Sequence, residues 1–380
     1  MKVQIIASTK PGYILPIDKA TIFSGQEAGI CYMPDTIETL LAQPEEKATK
    51  RANNTKISGH HSVFGHVYYS FTFEEIPKIL AMILNNEKVY QTSEKSARYT
   101  KMKTTEEEQA LYEKWIEIYK NKIHETYPNI DEKKVQKLAQ ENARYLISIF
   151  TPATTMGYTV DLRQISYILN WMKNFEENSK NNKFTAKLKP VFSEFREQLK
   201  NFEIDGLTDG KGRSLSLFAT RQRPEEWGEN YCTNYKATFA QLAQAQRHRT
   251  IKYEISFLDE PEFFIPPIIQ NTPLEAEWLE DIKSLAENFP QGMLINVNER
   301  GSYEDFILKC KERLCGCAQL EIAVQTKETM DKYLQNTKNT NPEVYKELLP
   351  YSSGARCTFK DYKCTSPCIW GAKFGLDRKI

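Results

Sequence analysis

Two short polar motifs carry the side chains best suited to bind an anion. Residues 93–99 (SEKSARY) combine hydroxyls, a carboxylate, a guanidinium and a phenol within seven positions. Arginine binds phosphate through paired hydrogen bonds, and hydroxyls or a phenol bind a base or a sugar. Residues 247–249 (RHR) place two guanidinium groups around an imidazole, which favours an anion such as a phosphate or a reduced flavin among them. Solvated polar surface is the alternative for each motif.

Histidines and a helical arginine form two further candidates. Residues 59–62 (GHHS) precede an apolar stretch, with His66 four positions beyond Ser62. Neighbouring histidines at the start of a strand suit a cofactor or a metal, and a simple turn is the alternative. Arg313 opens residues 313–321 (RLCGCAQLE), where so many apolar neighbours predict that it points into a cleft or pairs with an acid.

Cysteines are concentrated near the end of the chain, where six of the eight lie in the last seventy or so residues. Thiols that lie this close together can bind one zinc ion or an iron–sulfur cluster, although structural zinc ligands usually arrive as two close pairs. Free thiols packed as small hydrophobic groups are the alternative. The predicted ligands are Cys357, Cys364 and Cys368, with a fourth from Cys310, Cys315 or Cys317.

Strand and turn signals indicate where these motifs lie. Residues 3–7 and 62–73 are rich in β-branched and aromatic side chains and predict strands. Residues 205–213 (DGLTDGKGR) are the strongest linker signal in the chain, and residues 336–341 (NTKNTN) predict a polar loop.

Three amphipathic helices are predicted around the motifs. One begins at the capping box formed by Thr105 and Glu108, and one begins after Asp131 and continues through residue 150. The third begins at Ser302, with Asp305 three residues later, and continues through residue 318.

Length and charge bound the class of protein. At roughly 150 residues per domain, 380 residues predict two domains. Lys and Arg number 51 against 50 Asp and Glu, so no overall field draws the chain to nucleic acid or an anionic membrane. No apolar run reaches the roughly 18 residues of a membrane span, and no signal peptide is evident, so we expect a cytoplasmic protein.

Taken together, the motifs resemble the flavin-dependent thymidylate synthases. The resemblance covers roughly residues 20–335. Its first half has residues 59–66, residues 93–99, Ala143-Arg144 and residues 159–163 (TVDLR). That half reads NEK at 86–88 and WMK at 171–173, where the family has Arg-His-Arg and a helical arginine. The second half supplies both, as residues 247–249 and as Arg313 followed by residues 318–322 (AQLEI).

The complementary gaps imply two diverged copies of one fold that share a composite site. We therefore predict an α+β protein with two copies of an α/β domain, each a mixed sheet flanked by helices, arranged as a pseudo-dimer. The predicted copies are residues 1–208 and 209–335, with residues 336–380 as a cysteine-containing extension.

The resemblance also implies roles for single residues. Arg98, Tyr99, Arg144 and Arg313 would hold the nucleotide, and Ser96 would lie against the pyrimidine with Glu94 beside it. Ser96 and Arg313 are the predicted catalytic residues. The predicted cofactor-binding residues are His60, Ser62, Arg247, His248 and Arg249.

The implied reaction is reductive methylation of dUMP to dTMP, with bound FAD, methylenetetrahydrofolate as carbon donor and NADPH as reductant. Modification of another pyrimidine nucleotide and a non-catalytic nucleotide-binding protein are the alternatives. The family's shared active sites imply a homo-oligomer, here a dimer of the fused chain, with no nucleic acid or membrane partner.

Overall fold

The computed structural model describes residues 12–96, 100–219, 221–365, 368–371 and 375–380. They form an α+β fold with two small sheets and many helices. The helices are α1 (Ile17–Tyr32), α2 (Ile37–Leu41), α3 (Glu45–Ile57), α4 (Lys78–Asn86), α5 (Glu106–Thr126), α6 (Glu132–Ala143), α7 (Leu162–Asn178), α8 (Lys183–Gln198), α9 (Phe239–Ala245), α10 (Pro273–Ser284), α11 (Tyr303–Arg313), α12 (Leu320–Thr340) and α13 (Pro342–Leu348).

The strands are β1 (Tyr68–Ile76), β2 (Gln91–Glu94), β3 (Thr154–Asp161), β4 (Asn230–Thr238), β5 (Lys252–Ser256) and β6 (Leu294–Ser302). Short 3₁₀ helices span His61–His66, Arg144–Leu146, Lys200–Phe202, Ala286–Asn288, Leu349–Tyr351 and Arg356–Thr358. The predicted strand over residues 3–7 lies outside the described residues. No helix within the described ranges is long and apolar enough to cross a membrane.

The described residues divide into two compact units that interleave along the sequence. Unit 1 comprises residues 12–74, 87–94 and 155–215, and unit 2 comprises residues 75–86, 95–154 and 216–380. The predicted boundary after residue 208 lies close to the end of unit 1, but residues 75–86 and 95–154 pack with the later part of the chain. Aromatic packing helps to hold residues 95–154 against the later part of the chain. The ring of Trp115 in α5 meets the ring of Trp278 in α10 edge to face, with the ring centroids 4.8 Å apart.

Both sheets have the same strand order. The order is β1-β3-β2 in one and β4-β6-β5 in the other, so the third strand is central in each. In each half the first strand leads to a helix (α4 or α9) and the third leads to another (α7 or α11). In unit 2 both strand pairs are antiparallel, with register Tyr235↔Val297 and Ile255↔Val297, and the parallel pairing expected of a mixed sheet is represented there by the isolated bridge Phe218↔Ile255.

The helix starts predicted from capping residues are confirmed. Thr105 and Glu108 form a reciprocal capping box at α5, and Ser302 and Asp305 form one at α11. The side chain of Asp131 accepts a hydrogen bond from the backbone N–H of Lys134 at the start of α6. Each cap satisfies a backbone N–H that has no partner within its helix.

Three predicted elements have different bounds in the structure from those predicted. Helix α6 ends at Ala143, because residues 147–149 pair their backbone with residues 289–291. Helix α11 ends at Arg313 instead of continuing through residue 318. The predicted loop at 336–341 belongs mostly to α12, where Thr337 is fully buried and donates its hydroxyl to the carbonyl of Tyr333.

The predicted strand over 62–73 begins only at Tyr68. Residues His61–His66 form a 3₁₀ helix whose neighbouring side chains Val63 and Phe64 are both buried. A strand would direct these two side chains to opposite faces. The helical turn instead lets both pack into the core of unit 1 beside Ala20 and Ala28 of α1.

Helices α1 and α3 approach each other at a glycine in unit 1. A Cβ atom on Gly25 would lie 1.9 Å from the carbonyl oxygen of Ala48. The guanidinium of Arg51 crosses the same contact and donates to the carbonyl of Gly25 at 2.7 Å. Only glycine permits this separation, because any side chain would force the helices apart.

We therefore expect Gly25→Ala to lower the free energy of unfolding by about 1–3 kcal/mol, the usual cost of overpacking. Thermal and urea unfolding of the full chain measure this change. Gly157→Ala is the matched control, because its Cβ would meet only the carbonyl of Ser93, at an ordinary 3.9 Å. Equal stability of the two variants would contradict the close helix contact.

Candidate functional site

A cleft of about 140 Å³ in unit 2 gathers cationic side chains from distant parts of the sequence. Five of its lining side chains are cations, and its described lining residues include no carboxylate. Such a concentration of one charge sign attracts and orients anions. The lining residues are Lys78, Lys95, Ser96, Met102, Arg144, Thr154, Ala240, Ala243, Gln244, Arg247, Gln291 and Arg313.

Arg144 is the most deeply placed of these cations, at 5% exposed. It follows α6 in the 3₁₀ helix Arg144–Leu146, and its Nη2 donates to the side-chain oxygen of Gln319. The same oxygen accepts from Gln244 Nε2 at 2.7 Å. One neutral amide from the start of α12 therefore orients two residues that line the cleft.

A carboxylate behind the cleft anchors this amide network. Gln319 Nε2 donates to the hydroxyl of Tyr145, which donates to Glu321 Oε2 at 2.9 Å. Glu321 also accepts from the backbone N–H of Thr238 at 2.9 Å and from its hydroxyl at 2.8 Å. Burial raises the pKa of Glu321, while these hydrogen bonds and the charge of Arg144 act in the opposite direction.

Three buried polar atoms of the cleft have no hydrogen-bond partner among the described residues. They are Arg144 Nε, Thr154 Oγ1 and Gln244 Oε1. Buried polar groups in folded proteins are nearly always paired with protein, water or ligand. Since Arg144 can only donate and the amide oxygen can only accept, a matching ligand would carry both an acceptor and a hydroxyl or N–H donor.

The Arg-His-Arg motif lies in the turn after α9, and its three residues have different surroundings. Arg247 lines the cleft, His248 is buried, and Arg249 is exposed and outside the described lining. Arg313 Nε donates to His248 Nε2 at 2.8 Å. Because arginine is always a donor, this bond assigns the acceptor role to Nε2 and the proton of a neutral imidazole to Nδ1.

Arg313 itself is held at the end of α11 by several weaker contacts. Its Nη2 lies 3.5 Å from the carbonyl of Gln244 and 3.4 Å from the carboxylate of the exposed Glu312. The contacts with His248, Gln244 and Glu312 together hold the guanidinium of Arg313 where it lines the cleft beside the Arg-His-Arg turn.

The structure thus brings four predicted site residues together at one cleft, namely Ser96, Arg144, Arg247 and Arg313. Ser96 and Arg144 come from the predicted first copy, and Arg247 and Arg313 come from the second. Their roles stay predictions. Arg98 and Tyr99, which follow Ser96 in the same motif, lie outside the described residues.

The other predicted binding residues belong to unit 1. His60 and Ser62 are exposed, and Nδ1 of His60 contacts the hydroxyl of Tyr32. The buried histidine of this motif is His61, which bonds Tyr167 at 2.7 Å and the carbonyl of Lys56 at 2.9 Å. Glu94 ends β2, opposite Met156 of β3.

The predicted metal site has no preformed geometry. Within the ranges that the structure describes, no three His, Cys, Asp or Glu side chains stand where they could hold a metal ion. Cys357 is exposed, and Cys364 and Cys368 are partly buried. The metal assignment stays a prediction.

Sequence reasoning did not single out two groups of the cleft. Lys78 has no recognisable motif, and Lys95 lies within residues 93–99 without an assigned role, so only the fold shows that both face the same space as the arginines. Gln319 and Glu321 do fall within the AQLEI pattern, but their positions in a hydrogen-bond chain behind Arg144 could not be inferred from spacing.

Arg144→Met should weaken binding of inorganic phosphate about tenfold, because a charged hydrogen bond contributes on the order of 1.5–3 kcal/mol. Phosphorus NMR titration of the full chain measures this affinity. Lys283→Ala is the control, since Lys283 is an exposed cation of α10 outside the described lining. Unchanged phosphate affinity in the Arg144 variant would exclude the cleft as an anion site.

Comparison with known proteins gives a partial match. A search of curated protein sequences finds no match. Among solved structures, a flavin-dependent thymidylate synthase from Helicobacter pylori, solved with FAD and dUMP, aligns with 50% of this chain and 95% of its own length. The identity is 14% and the TM-score 0.29, which is too low to establish a common fold. A protein-family model described as "Thymidylate synthase complementing protein" matches residues 23–174, less than half of the chain.

Proposed function

We propose that the chain is a flavin-dependent thymidylate synthase whose nucleotide site is composed of residues from both halves of the sequence. In this reaction a methyl group replaces the C5 hydrogen of dUMP, with its carbon from methylenetetrahydrofolate and NADPH as reductant. The observation that carries the proposal is the cleft. It joins Ser96 and Arg144, which lie inside the matched range of 23–174, to Arg247 and Arg313, which lie outside it.

The chemistry of the cleft suits the phosphate-bearing end of a nucleotide. Arg144 and Arg313 can each donate charged hydrogen bonds to phosphate oxygens. Gln244 Oε1 needs a donor, which a sugar hydroxyl or a pyrimidine N–H supplies. At about 140 Å³ the cleft is smaller than the roughly 300 Å³ or more of pockets that enclose whole ligands, so we assign it the phosphate end.

The cofactor would be held by Arg247 and its neighbours, with a different role for each. Arg247 lines the cleft and can contact an anionic ligand there. His248 is buried and already accepts from Arg313, so we infer that it acts through that arginine. FAD supplies the two-electron redox chemistry when it is bound. Ser96 would lie against the pyrimidine and position it for the transfer.

Duplication of one fold would account for the split motifs. The two sheets share their strand order, and the turn after α4 reads NEK where the turn after α9 reads RHR. We propose that each half retained a different part of an ancestral site, and that a dimer of the chain in the cytoplasm is the working form.

Purified chain should be yellow with a flavin spectrum and should release the C5 hydrogen of dUMP when methylenetetrahydrofolate and NADPH are added. Arg247→Ala and Arg313→Ala should each slow this release about 100-fold or more, because each removes a preorganised charge. Lys283→Ala should have no effect. Full activity in both arginine variants would contradict a composite site, and a colourless protein that FAD cannot reconstitute would contradict both flavoenzyme hypotheses.

Substitutions of His248 test whether its hydrogen bond positions Arg313. His248→Phe removes the acceptor and should raise KM for dUMP about tenfold with a smaller change in kcat, the typical effect of a lost charged hydrogen bond. His248→Gln retains an acceptor oxygen and should keep KM within about threefold of wild type. Equal losses in the two variants would show that His248 does not act through this hydrogen bond.

A further inference from the structure

Five cysteines that the proposed reaction does not use lie in one region of unit 2. Cys315 and Cys317 flank Gly316 in the connection between α11 and α12. Cys357, Cys364 and Cys368 lie in the segment after α13. Each is a free thiol. Thiolate sulfur is the preferred protein ligand of structural zinc.

Close contacts place the C-terminal thiols beside the Cys-Gly-Cys connection. A Cβ atom on Gly316 would lie 2.8 Å from the sulfur of Cys368, so this sulfur packs directly on the glycine. The backbone N–H of Cys317 donates to the sulfur of Cys315 at 3.4 Å. N–H to sulfur hydrogen bonds of this kind orient thiolate ligands in metal sites.

Backbone hydrogen bonds bring the segment of Cys357 to the same place. Arg356 donates its backbone N–H to the carbonyl of Leu314 at 2.6 Å and its Nη1 to the carbonyl of Lys311 at 3.1 Å. The residue before Cys357 is thereby tied to the residue before Cys315. The backbone that would carry a four-thiolate site is already assembled from three chain segments.

The contacts described above reach Cys368 directly and Cys357 through Arg356, so these two thiols, rather than Cys364, are taken as the C-terminal ligands.

We propose that Cys315, Cys317, Cys357 and Cys368 bind one structural zinc ion. The described thiols do not stand at ligand positions, so binding of the ion requires them to move together. Cys310, one of the options predicted from sequence, is left out of this ligand set. It is fully buried in a hydrophobic core with Phe306, Leu314 and Met330.

The position of the ion gives it a structural purpose. The Cys-Gly-Cys connection begins two residues after Arg313, which lines the cleft, and ends two residues before Gln319, which orients Arg144. Zinc would fix the turn between these two residues, and removing it would loosen both. The ion is assigned no part in the reaction itself and would act through the backbone.

The test is metal analysis of the full chain, purified without chelator. We expect about one zinc per chain, and at least tenfold less zinc in Cys315→Ser, Cys317→Ser, Cys357→Ser and Cys368→Ser after dialysis against a chelator. Cys364→Ser and the unit 1 variant Cys31→Ser are the controls and should retain zinc. Loss in Cys364→Ser with retention in Cys357→Ser would overturn the ligand assignment.

A second measurement covers serine variants that fail to fold. Metal-depleted wild-type chain titrated with Co²⁺ should reach an end point at about one ion, with the intense visible bands of tetrahedral thiolate coordination. Absence of both zinc and cobalt binding, disulfides in place of free thiols, or iron with inorganic sulfide would each overturn the zinc site. Phosphate affinity is measured separately, so failure of the zinc site leaves the proposed enzyme activity to its own test.

Discussion

The placement of a nearly buried guanidinium is the constraint on which the site depends. Arg144 has lost most of its water, which is costly for a cation unless polar partners replace it. Gln319 provides one partner, and Glu321 lies behind it at the end of a chain of hydrogen bonds through Tyr145. The N–H at Nε has no partner among the described residues, so the arginine is only partly compensated by the protein. An anion in the cleft would complete that compensation.

The hydrogen-bond network behind the cleft is built from residues of both halves of the sequence. Arg144 and Tyr145 follow α6, whereas Gln319 and Glu321 begin α12 and Thr238 precedes α9. All belong to unit 2, because residues 95–154 pack with residues 216–380. Under the proposed duplication, loss of an arginine from one half is compensated when the other half presents one to the same cleft. Interleaving of the two halves in unit 2 is therefore the structural condition for a composite site.

The sequence was informative where local chemistry decides the outcome. The capping residues at Thr105, Asp131 and Ser302 predicted three helix starts correctly. Motif matching also selected Ser96, Arg144, Arg247 and Arg313, which the fold brings to one cleft. Local patterns failed where tertiary contacts decide, as at the end of α6, where residues 147–149 pair with residues 289–291. Lys78 was missed for the same reason, since a lone lysine carries no signal of its neighbours, and the role of Lys95 within residues 93–99 was missed as well.

The most direct measurement of the central claim is a crystal structure of the full chain with dUMP and FAD. We predict the phosphate of dUMP in the unit 2 cleft, within hydrogen-bond distance of Arg144 and Arg313 at once, with the flavin beside Arg247. Density for the phosphate outside this cleft, or contacts confined to residues 23–174, would contradict a site composed from both halves.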